Sequence, residues 1–283
     1  EFMDDADNDI SALYTGITDF TPEKGSTFDP SDYYPEAMYD GDYKYTYTSG
    51  GDAFTVTTDA VVTLVYTKSA RPTHTITVTA NYGGNNKTIV DGVSVNEASD
   101  YTYYYPRFIK DGSTLYEYAS STDPGASASY WTSTTTIGTS NVSYTLTYNA
   151  LEGNCVYYSE GEDVPGATDW SFGTYRPYMS NGSSGEIESA TTLINLDAGV
   201  YSITACAIGR QNDRFVDFYK NSTEDENKIL RVTSKNNGGV NTANCTLTGA
   251  TDIVGLGGYA GGSSGHACDY IYIMKTGNVF TPQ

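Results

Sequence analysis

Polar and hydrophobic residues alternate along much of this chain with a period of two. Residues 73–80 read Thr-His-Thr-Ile-Thr-Val-Thr-Ala, and residues 200–205 read Val-Tyr-Ser-Ile-Thr-Ala. Such alternation places every second side chain on the same face of a strand. We find no run of helical periodicity, and Gly, Ser, Thr and 27 tyrosines favour strands and turns. The pattern predicts an all-β protein.

A gapless internal repeat organises the first half of the chain. Residues 33–41 align with residues 104–112, both beginning Tyr-Tyr-Pro and ending Asp-Gly. The same register then matches two alternating tyrosines in each copy: Tyr45 with Tyr116, and Tyr47 with Tyr118. After a short insertion in the second copy, residues 64–66 match residues 146–148. Each copy predicts a Tyr-Pro strand, an Asp-Gly turn, a tyrosine-alternating strand and a closing strand.

The fold class we predict is a row of small Tyr-rich β modules followed by a C-terminal β-sandwich of the jelly-roll type. The alternating strand at 73–80 precedes the second copy and has no clear equivalent before the first, so the first copy is expected to be truncated or degenerate. After residue 150 glycine rises and the cysteines begin. The predicted divisions are an acidic linker with cloning-derived residues (1–31), β repeat 1 (32–70), β repeat 2 (71–150) and the jelly roll (151–283).

Eight short strands are predicted in the last domain, separated by Gly, Asn and Ser, which is typical of a sandwich or jelly roll. They are residues 155–159, 187–194, 199–208, 213–220, 228–233, 244–248, 251–256 and 269–274.

The charge narrows the classes of partner. The formal net charge is −20 and the pI is about 4.2, and such a field repels phosphate backbones and anionic lipid. Nucleic acid is therefore not expected as a partner, whereas a neutral ligand or Ca²⁺ is compatible. Simple solubility outside the cell explains the acidity equally well. No apolar run approaches 18 residues, so membrane insertion is not expected.

The first residues suggest an excised fragment. Glu1-Phe2-Met3 is typical of cloning-derived residues, and we expect a larger parent protein that is secreted or displayed at the cell surface. The run from Asp4 to Asp9 has the oxygen density of a calcium loop but lacks its Gly and terminal Glu, which favours a solvated linker.

All four cysteines fall in the last domain: Cys155, Cys206, Cys245 and Cys268. Their even number suits disulfides in an oxidising compartment, with three possible pairings. A bridge between Cys155 and Cys268 is one possibility if they lie on neighbouring terminal strands. Free buried thiols are the alternative.

Three short motifs of the last domain resemble the jelly-roll carbohydrate-binding modules of families six, thirty-five and thirty-six. They are an acidic opening strand at residues 159–163, the Ala-Gly-Val-Tyr strand at residues 196–205, and an Asp-Tyr-Ile-Tyr-Ile closing strand at residues 269–273. The resemblance covers this domain alone and does not extend to the N-terminal repeats.

The resemblance implies a structural Ca²⁺ that joins the opening and closing strands. Carried onto this sequence, the ligands would be Glu160, Glu162 and Asp269. Gly161 and Cys268 depart from the family pattern. Carboxylate oxygens are ligands that Ca²⁺ prefers, and a group of solvated edge-strand carboxylates is the alternative.

Sugar binding needs flat aromatic faces and planar hydrogen-bonding groups. Residues 170–178 form an aromatic loop from which Trp170, Tyr175 and Tyr178 are the candidate platform, unless the rings fold back onto the sandwich. The resemblance also points to the Gly-rich loop at 257–266, where Tyr259 and His266 are candidates. A lone loop His is usually only solvated.

Arg210 lies in a polar turn and is the candidate donor to sugar hydroxyls; an Arg–Asp surface pair explains this turn equally well.

We therefore predict a non-catalytic module that binds a plant polysaccharide or oligosaccharide of xylan or glucan type. We expect it to be covalently linked to a catalytic domain in a bacterial glycan-degrading protein. A surface adhesin or spacer without a glycan ligand is the first alternative. A β-sandwich glycoside hydrolase is the second, because Glu186 and Glu188 share one strand face. The chain shows no nucleophile elbow, phosphate loop or catalytic triad pattern.

Overall fold

The computed structural model describes residues 1–16, 19–128, 131–170, 184–187, 189–208, 214–234, 239–259 and 267–279. These residues group into two compact units. The first consists of residues 1–76, 92–101 and 136–142, and the second of residues 77–91, 102–135 and 143–283. Helical structure in the described part of the chain is limited to 3₁₀ turns, at Ser11–Leu13, Pro30–Asp32, Gly161–Asp163 and Asp225–Asn227. No described helix has the length and apolar character needed to cross a bilayer.

The first copy of the repeat forms a four-stranded sheet and a two-stranded ribbon. Its strands are β1 (Phe2–Asp4), β2 (Thr27–Phe28), β3 (Ala37–Asp40), β4 (Tyr43–Ser49), β5 (Phe54–Thr55) and β6 (Leu64–Ala70). The sheet order is β1-β6-β4-β3, and β2 pairs with β5. The core of this copy consists of Phe2, Ile10, Met38, Tyr45, Leu64 and Tyr66.

The second copy has a larger sheet of the same order. Its strands are β7 (Thr73–Tyr82), β8 (Asn85–Asn96), β9 (Asp100–Tyr104), β10 (Phe108–Asp111), β11 (Thr114–Ser121), β12 (Thr132–Thr136) and β13 (Val142–Ala150). The sheet order is β10-β11-β13-β7-β8, and β12 pairs with β9.

The two copies of the repeat share a strand register. Tyr47 pairs with Tyr66 in the first copy, and Tyr118 pairs with Tyr148 in the second. Both strand pairs shift register directly after that position, between Tyr47 and Ser49 and between Tyr118 and Ser120.

A tyrosine–proline hydrogen bond is also shared by the two copies. Tyr66 donates its hydroxyl to the carbonyl of Pro35 at 3.0 Å, and Tyr148 donates to the carbonyl of Pro106 at 2.7 Å. The two copies therefore share this hydrogen bond as well as their strand register.

The linker predicted over residues 1–31 is wrong at its beginning. Strand β1 pairs in parallel with β6, with Phe2 opposite Leu64, and Phe2 is buried in the core. It occupies the place in the sheet order that β7 holds in the second copy. Asp4 is also buried and accepts hydrogen bonds from the backbone of Ala6 and from Asn8, so this run is an ordered turn and not a solvated linker.

The last domain is a β-sandwich of two sheets. Its strands are β14 (Asn154–Glu160), β15 (Thr168–Trp170), β16 (Ser184–Glu186), β17 (Thr191–Leu196), β18 (Gly199–Ile208), β19 (Arg214–Lys220), β20 (Lys228–Thr233), β21 (Gly239–Leu247), β22 (Thr251–Tyr259) and β23 (Ala267–Gly277). One sheet has the order β15-β16-β23-β18-β21 with β14 also on β23, and the other has the order β17-β22-β19-β20.

One hydrophobic core lies between these sheets. Ile203 and Ile271 of the first sheet meet Phe218 and Ile253 of the second, all fully buried. Each predicted strand overlaps an observed one, and β18 and β20 have the predicted bounds. The sequence missed β15 and β16, which are three residues each and too short to show alternation.

A second hydrophobic cluster joins the second repeat to the sandwich within one compact unit. Phe108 and Leu115 of the repeat pack with Cys155, Tyr270 and Met274. The chain passes from one sheet to the other between Ala150, where β13 ends, and Asn154, where β14 begins. Within this unit the two parts pack together, because Phe108 and Leu115 are buried against side chains of the sandwich.

Candidate functional site

The strand ends that flank the predicted sugar-binding residues lie side by side. Ile208 ends β18 and pairs with Ala267, the first residue of β23. Arg214 begins β19 and pairs with Tyr259, the last residue of β22. The segments 209–213 and 260–266 therefore leave and enter the two sheets at one end of the sandwich.

The aromatic segment starts close to the same end. Trp170 ends β15 and pairs with Ser184, while Gly185 pairs with Cys268 on β23. Segment 171–183 thus connects β15 to β16, and β16 pairs with the first residues of β23. The register brings together strand ends that flank three segments far apart in sequence.

The predicted ligand residues fall mostly beyond the described part of the chain. Trp170 and Tyr259 are placed by their backbone at the strand ends named above. The other four candidates lie outside the described residues: Tyr175, Tyr178, Arg210 and His266. Glu186 has a described backbone in β16, and Glu188 lies outside, so the paired-carboxylate alternative is not tested.

In the four-stranded sheet, near this end, a side chain of β19 lies close to the backbone of β22. A side-chain carbon added at Gly258 would lie 2.4 Å from the ring of Phe215 on β19. The guanidinium of Arg231 stacks on the same ring at 3.6 Å from its centroid. Glycine at position 258 therefore lets the Phe215 ring lie flat against β22 while Arg231 covers it.

An ion pair with a buried carboxylate holds Arg231 in place, and sequence reasoning missed this pair. Asp217 is fully buried and accepts hydrogen bonds from Arg231 Nε at 2.7 Å and Nη2 at 2.6 Å. Tyr219 donates to the same carboxylate at 2.9 Å, and Lys228 lies 3.3 Å from it. The sequence features that could have indicated this ion pair are Asp-Phe-Tyr on one strand and Lys-x-x-Arg on the next. Only the pairing of β19 with β20 brings them into contact.

The three predicted metal ligands are brought to one region by strands β14 and β23. Glu160 pairs with Tyr270, one residue after Asp269. Glu162 follows in the 3₁₀ turn Gly161–Asp163. Glu160 and Asp269 are buried, with exposed fractions of 6% and 1%.

The charges of these carboxylates act on the same neighbouring groups. Burial raises the pKa of Tyr158 well above its usual value, and Glu160, Asp269 and Glu162 raise it further. Tyr158 donates a hydrogen bond to Glu160. Burial also raises the pKa of the Cys268 thiol, again with contributions from all three carboxylates. Negative charge is thus concentrated here under low solvent exposure, where a cation is stabilising.

Their donor chemistry suits a hard cation, since each supplies carboxylate oxygens. Among the residues that the structure describes, no group of three or more His, Cys, Asp or Glu side chains is arranged as a metal site. Ca²⁺ binding would therefore require these side chains to turn toward a shared ion.

The four cysteines are free and buried. The bridge between Cys155 and Cys268 is wrong, although their strands are neighbours as expected. Cys155 pairs with Met274, six residues from Cys268, and six residues of strand span about 20 Å. A disulfide requires Cα atoms within about 7 Å. Burial raises the pKa of all four thiols, so they behave as apolar packing groups.

No family model matches this chain, and no curated protein matches it significantly. Solved structures with similar folds include two family-six carbohydrate-binding modules. The C-terminal module of LamC, a marine laminarinase from Zobellia galactanivorans, is 14% identical with a TM-score of 0.29, covering 43% of this chain and 93% of its own. A module of Cellvibrio mixtus lichenase 5A, solved with cellotriose, is 11% identical with a TM-score of 0.31, covering 43% of this chain and 98% of its own.

A pair of streptococcal tandem-repeat domains (SHIRT domains 3-4 of a cell surface protein) is also similar. It is 14% identical with a TM-score of 0.22, covering 53% of this chain and 95% of its own. At such identities and scores, the assignment of a β-sandwich to this chain depends on its own sheets and register.

Proposed function

We propose that the last domain is a non-catalytic carbohydrate-binding module that takes a xylan- or glucan-like plant polysaccharide. The observation that carries this proposal is the register at one end of the sandwich. This register places near one another the strand ends that flank residues 171–183, 209–213 and 260–266. These segments and their flanking residues include the aromatic side chains and the arginine needed to bind sugar. Ring faces stack on the apolar side of a pyranose, and Arg210 would donate to its hydroxyls. In a larger secreted bacterial protein, such a module would hold a linked catalytic domain near its substrate.

The test is retention of the full chain on a panel of neutral plant polysaccharides, compared with Trp170→Ala. We expect retention on at least one glycan, and loss of that retention in Trp170→Ala. Tyr43→Ala is the matched control, because Tyr43 is an aromatic residue with 47% exposure in the first repeat. Full retention by Trp170→Ala, or no retention by the wild type, would contradict the proposal. Release of reducing sugar would show the hydrolase alternative instead.

We propose that Glu160, Glu162 and Asp269 bind a structural Ca²⁺ ion. Where bound, it would offset the buried negative charge and pin β14 to β23. Calcium should raise the melting temperature of the wild type, and a chelator should reverse the change. Glu160→Gln should abolish the response, and Glu152→Gln, at an exposed position of the same domain, should not. If Glu160→Gln does not fold, tyrosine-sensitised terbium luminescence of the wild type gives the answer; no luminescence would refute the site.

A surface adhesin or spacer is the second candidate, favoured by the equivalent register of the two repeats. Rigid tandem modules serve as arms that hold a terminal domain away from the surface. This candidate predicts no retention on any glycan in the same experiment.

A further inference from the structure

A buried carboxylate joins two parts of the first compact unit. Glu97 follows directly after β8 and is 3% exposed. Its Oε1 atom accepts hydrogen bonds from the Tyr39 hydroxyl at 2.7 Å and from Lys44 Nζ at 2.6 Å. Both donors belong to the first repeat, on β3 and β4. A single charged group therefore connects the strands of the first repeat to the loop between β8 and β9.

Arg71 binds the same loop from the segment between β6 and β7. Its Nε donates to the Glu97 carbonyl at 2.6 Å, and its Nη2 donates to Ser99 Oγ at 3.0 Å. Its Nη1 donates to the carbonyl of Gly41, in the hairpin turn of the first repeat, at 3.1 Å. The guanidinium also lies 4.9 Å from the centroid of the Tyr39 ring. Arg71 thus contacts both the turn and the loop that Glu97 joins.

The loop between β8 and β9 has a well-supported backbone. Ala98 has a φ of +59°, which is unfavourable for a residue with a Cβ. Its N–H donates to the carbonyl of Ile137 at 2.7 Å, and the N–H of Ile137 donates to the carbonyl of Ser99 at 2.9 Å. Ile137 is fully buried. These hydrogen bonds hold the loop in the conformation that presents the Glu97 carboxylate to the first repeat.

The first repeat meets this loop through polar contacts. Within the described residues, the hydrophobic core of the first repeat extends from Phe2 to Tyr66 and includes no residue of the loop. The second repeat meets the sandwich differently, because Phe108 and Leu115 bury apolar surface there. A change of charge at Glu97 should therefore loosen the first contact and leave the second intact.

Hydrogen bonds favour the ionised form of Glu97. Those from Lys44 and Tyr39 lower the pKa of its carboxyl below the ordinary 4.5, although burial opposes ionisation. The hydrogen bond with Glu97 raises the pKa of Lys44. His74 is the third group that faces the carboxylate, and its Nε2 lies 3.6 Å from Oε2. A carboxyl with a lowered folded pKa stabilises its contacts above its unfolded pKa, and this stabilisation is lost as pH falls through the folded pKa.

We propose that Glu97 is a pH-sensitive switch, which holds the β8–β9 loop against the first repeat at neutral pH and releases it in acid. A proton on the carboxylate removes the negative charge next to Lys44 and Arg71. Those two cations, together with His74 once it is charged, then lie near one another without a counter-ion and repel. The turn at Gly41 separates from the loop, while the second repeat and the sandwich stay packed.

Hydrogen–deuterium exchange of the full chain tests the proposal, between about pH 6.5 and about pH 3. A peptide covering residues 94–101 reports on the loop, and a peptide covering residues 108–115 reports on the packed second repeat. Protection is expressed relative to the intrinsic exchange rate at each pH. We expect protection of the loop peptide to fall about tenfold or more below about pH 4, while protection of the other peptide is unchanged.

A charge-deleting variant isolates the carboxylate. Glu97→Gln keeps the size of the side chain but cannot be charged, so its loop peptide should exchange fast at every pH. Glu117→Gln is the matched control, because Glu117 also accepts hydrogen bonds from a cation, Arg107, but in the second repeat. Its loop peptide should behave like that of the wild type.

A conservative variant protects the test against misfolding of Glu97→Gln. Tyr39→Phe removes one donor that lowers the pKa of Glu97, so release of the loop should move to higher pH by about half a unit. Equal loop protection at both ends of the pH range, or wild-type protection in Glu97→Gln, would overturn the proposal. An unchanged midpoint in Tyr39→Phe, or parallel loss of protection in residues 108–115, would overturn it as well.

Discussion

Individual tyrosines in this chain have different structural roles, which depend on the hydrogen-bond partner of the hydroxyl and on burial of the ring. Tyr66 and Tyr148 are buried at 0% and 3% exposure, and they donate to the carbonyls of Pro35 and Pro106, just before β3 and β10. Their side chains thus satisfy a backbone acceptor and fill the module core at once. Tyr33 is more exposed, at 45%, and its ring packs against Phe20 and Phe28.

Removing one of these buried hydroxyls tests their structural role. We expect Tyr148→Phe to lower the free energy of unfolding by about 1–3 kcal/mol, because the buried Pro106 carbonyl loses its donor. Tyr43→Phe, at an exposed position, should change it by less than about 0.5 kcal/mol. Urea unfolding followed by tyrosine fluorescence measures both. Equal effects of the two changes would refute the role of the bond.

Asp217 should give the sandwich a measurable acid sensitivity. Burial opposes its ionisation, but hydrogen bonds from Arg231 and Tyr219 prevail and hold its pKa below the ordinary 3.8. A carboxyl with a lowered folded pKa stabilises the fold above its unfolded pKa, and the stabilisation is lost as pH falls through the folded pKa.

The measurement is the stability of the wild type minus that of Asp217→Asn as a function of pH. The difference should be constant above about pH 5 and shrink progressively below about pH 4. Asp225→Asn is the control, since its side chain is 95% exposed and contacts the same Lys228. A difference that grows on acidification would contradict the assignment.

At the scale of elements, each repeat depends on a two-residue hairpin turn. Asp40 pairs with Tyr43 in the first copy, and Asp111 pairs with Thr114 in the second. The first turn residue is Gly41 or Gly112, with φ of +53° and +55°. This conformation matches the twist of the flanking strands and is unfavourable for residues with a Cβ.

Gly112→Ala should therefore destabilise the second repeat by about 1–2 kcal/mol. No atom lies within 4 Å of the added carbon, so backbone strain is the only cost. Gly138→Ala is the matched control, because its site is equally open and its φ is not positive. Chemical denaturation of the two variants compares them, and an equal loss in both would show that the turn conformation is not responsible.

The whole molecule carries a net charge of −20 on 283 residues. A field of this sign opposes polyanions at long range and has little effect on neutral sugars. We expect polysaccharide retention to change less than about twofold between 50 and 500 mM salt, and heparin and duplex DNA to show no retention at 50 mM salt. Affinity electrophoresis and column retention measure these. Strong salt dependence would indicate that charge, and not stacking, drives binding.

The sequence by itself determined the secondary structure and its repetition. Period-two alternation, Asp-Gly turns and the gapless match of residues 33–41 with 104–112 are local signals. They were sufficient for the repeat and for eight strands of the sandwich, but not for the three-residue strands β1, β15 and β16. Alternation shows which face of a strand is apolar. The sequence pattern of two strands is the same whether or not they pair with each other.

Pairing itself was decided only by the tertiary structure. It put Phe2 into the first core, separated Cys155 from Cys268, joined Asp217 to Arg231, and gathered the flanks of three distant segments at one end of the sandwich. These contacts form when residues far apart in sequence are buried against each other. The local periodicity of a strand carries no information about which distant strand it will contact.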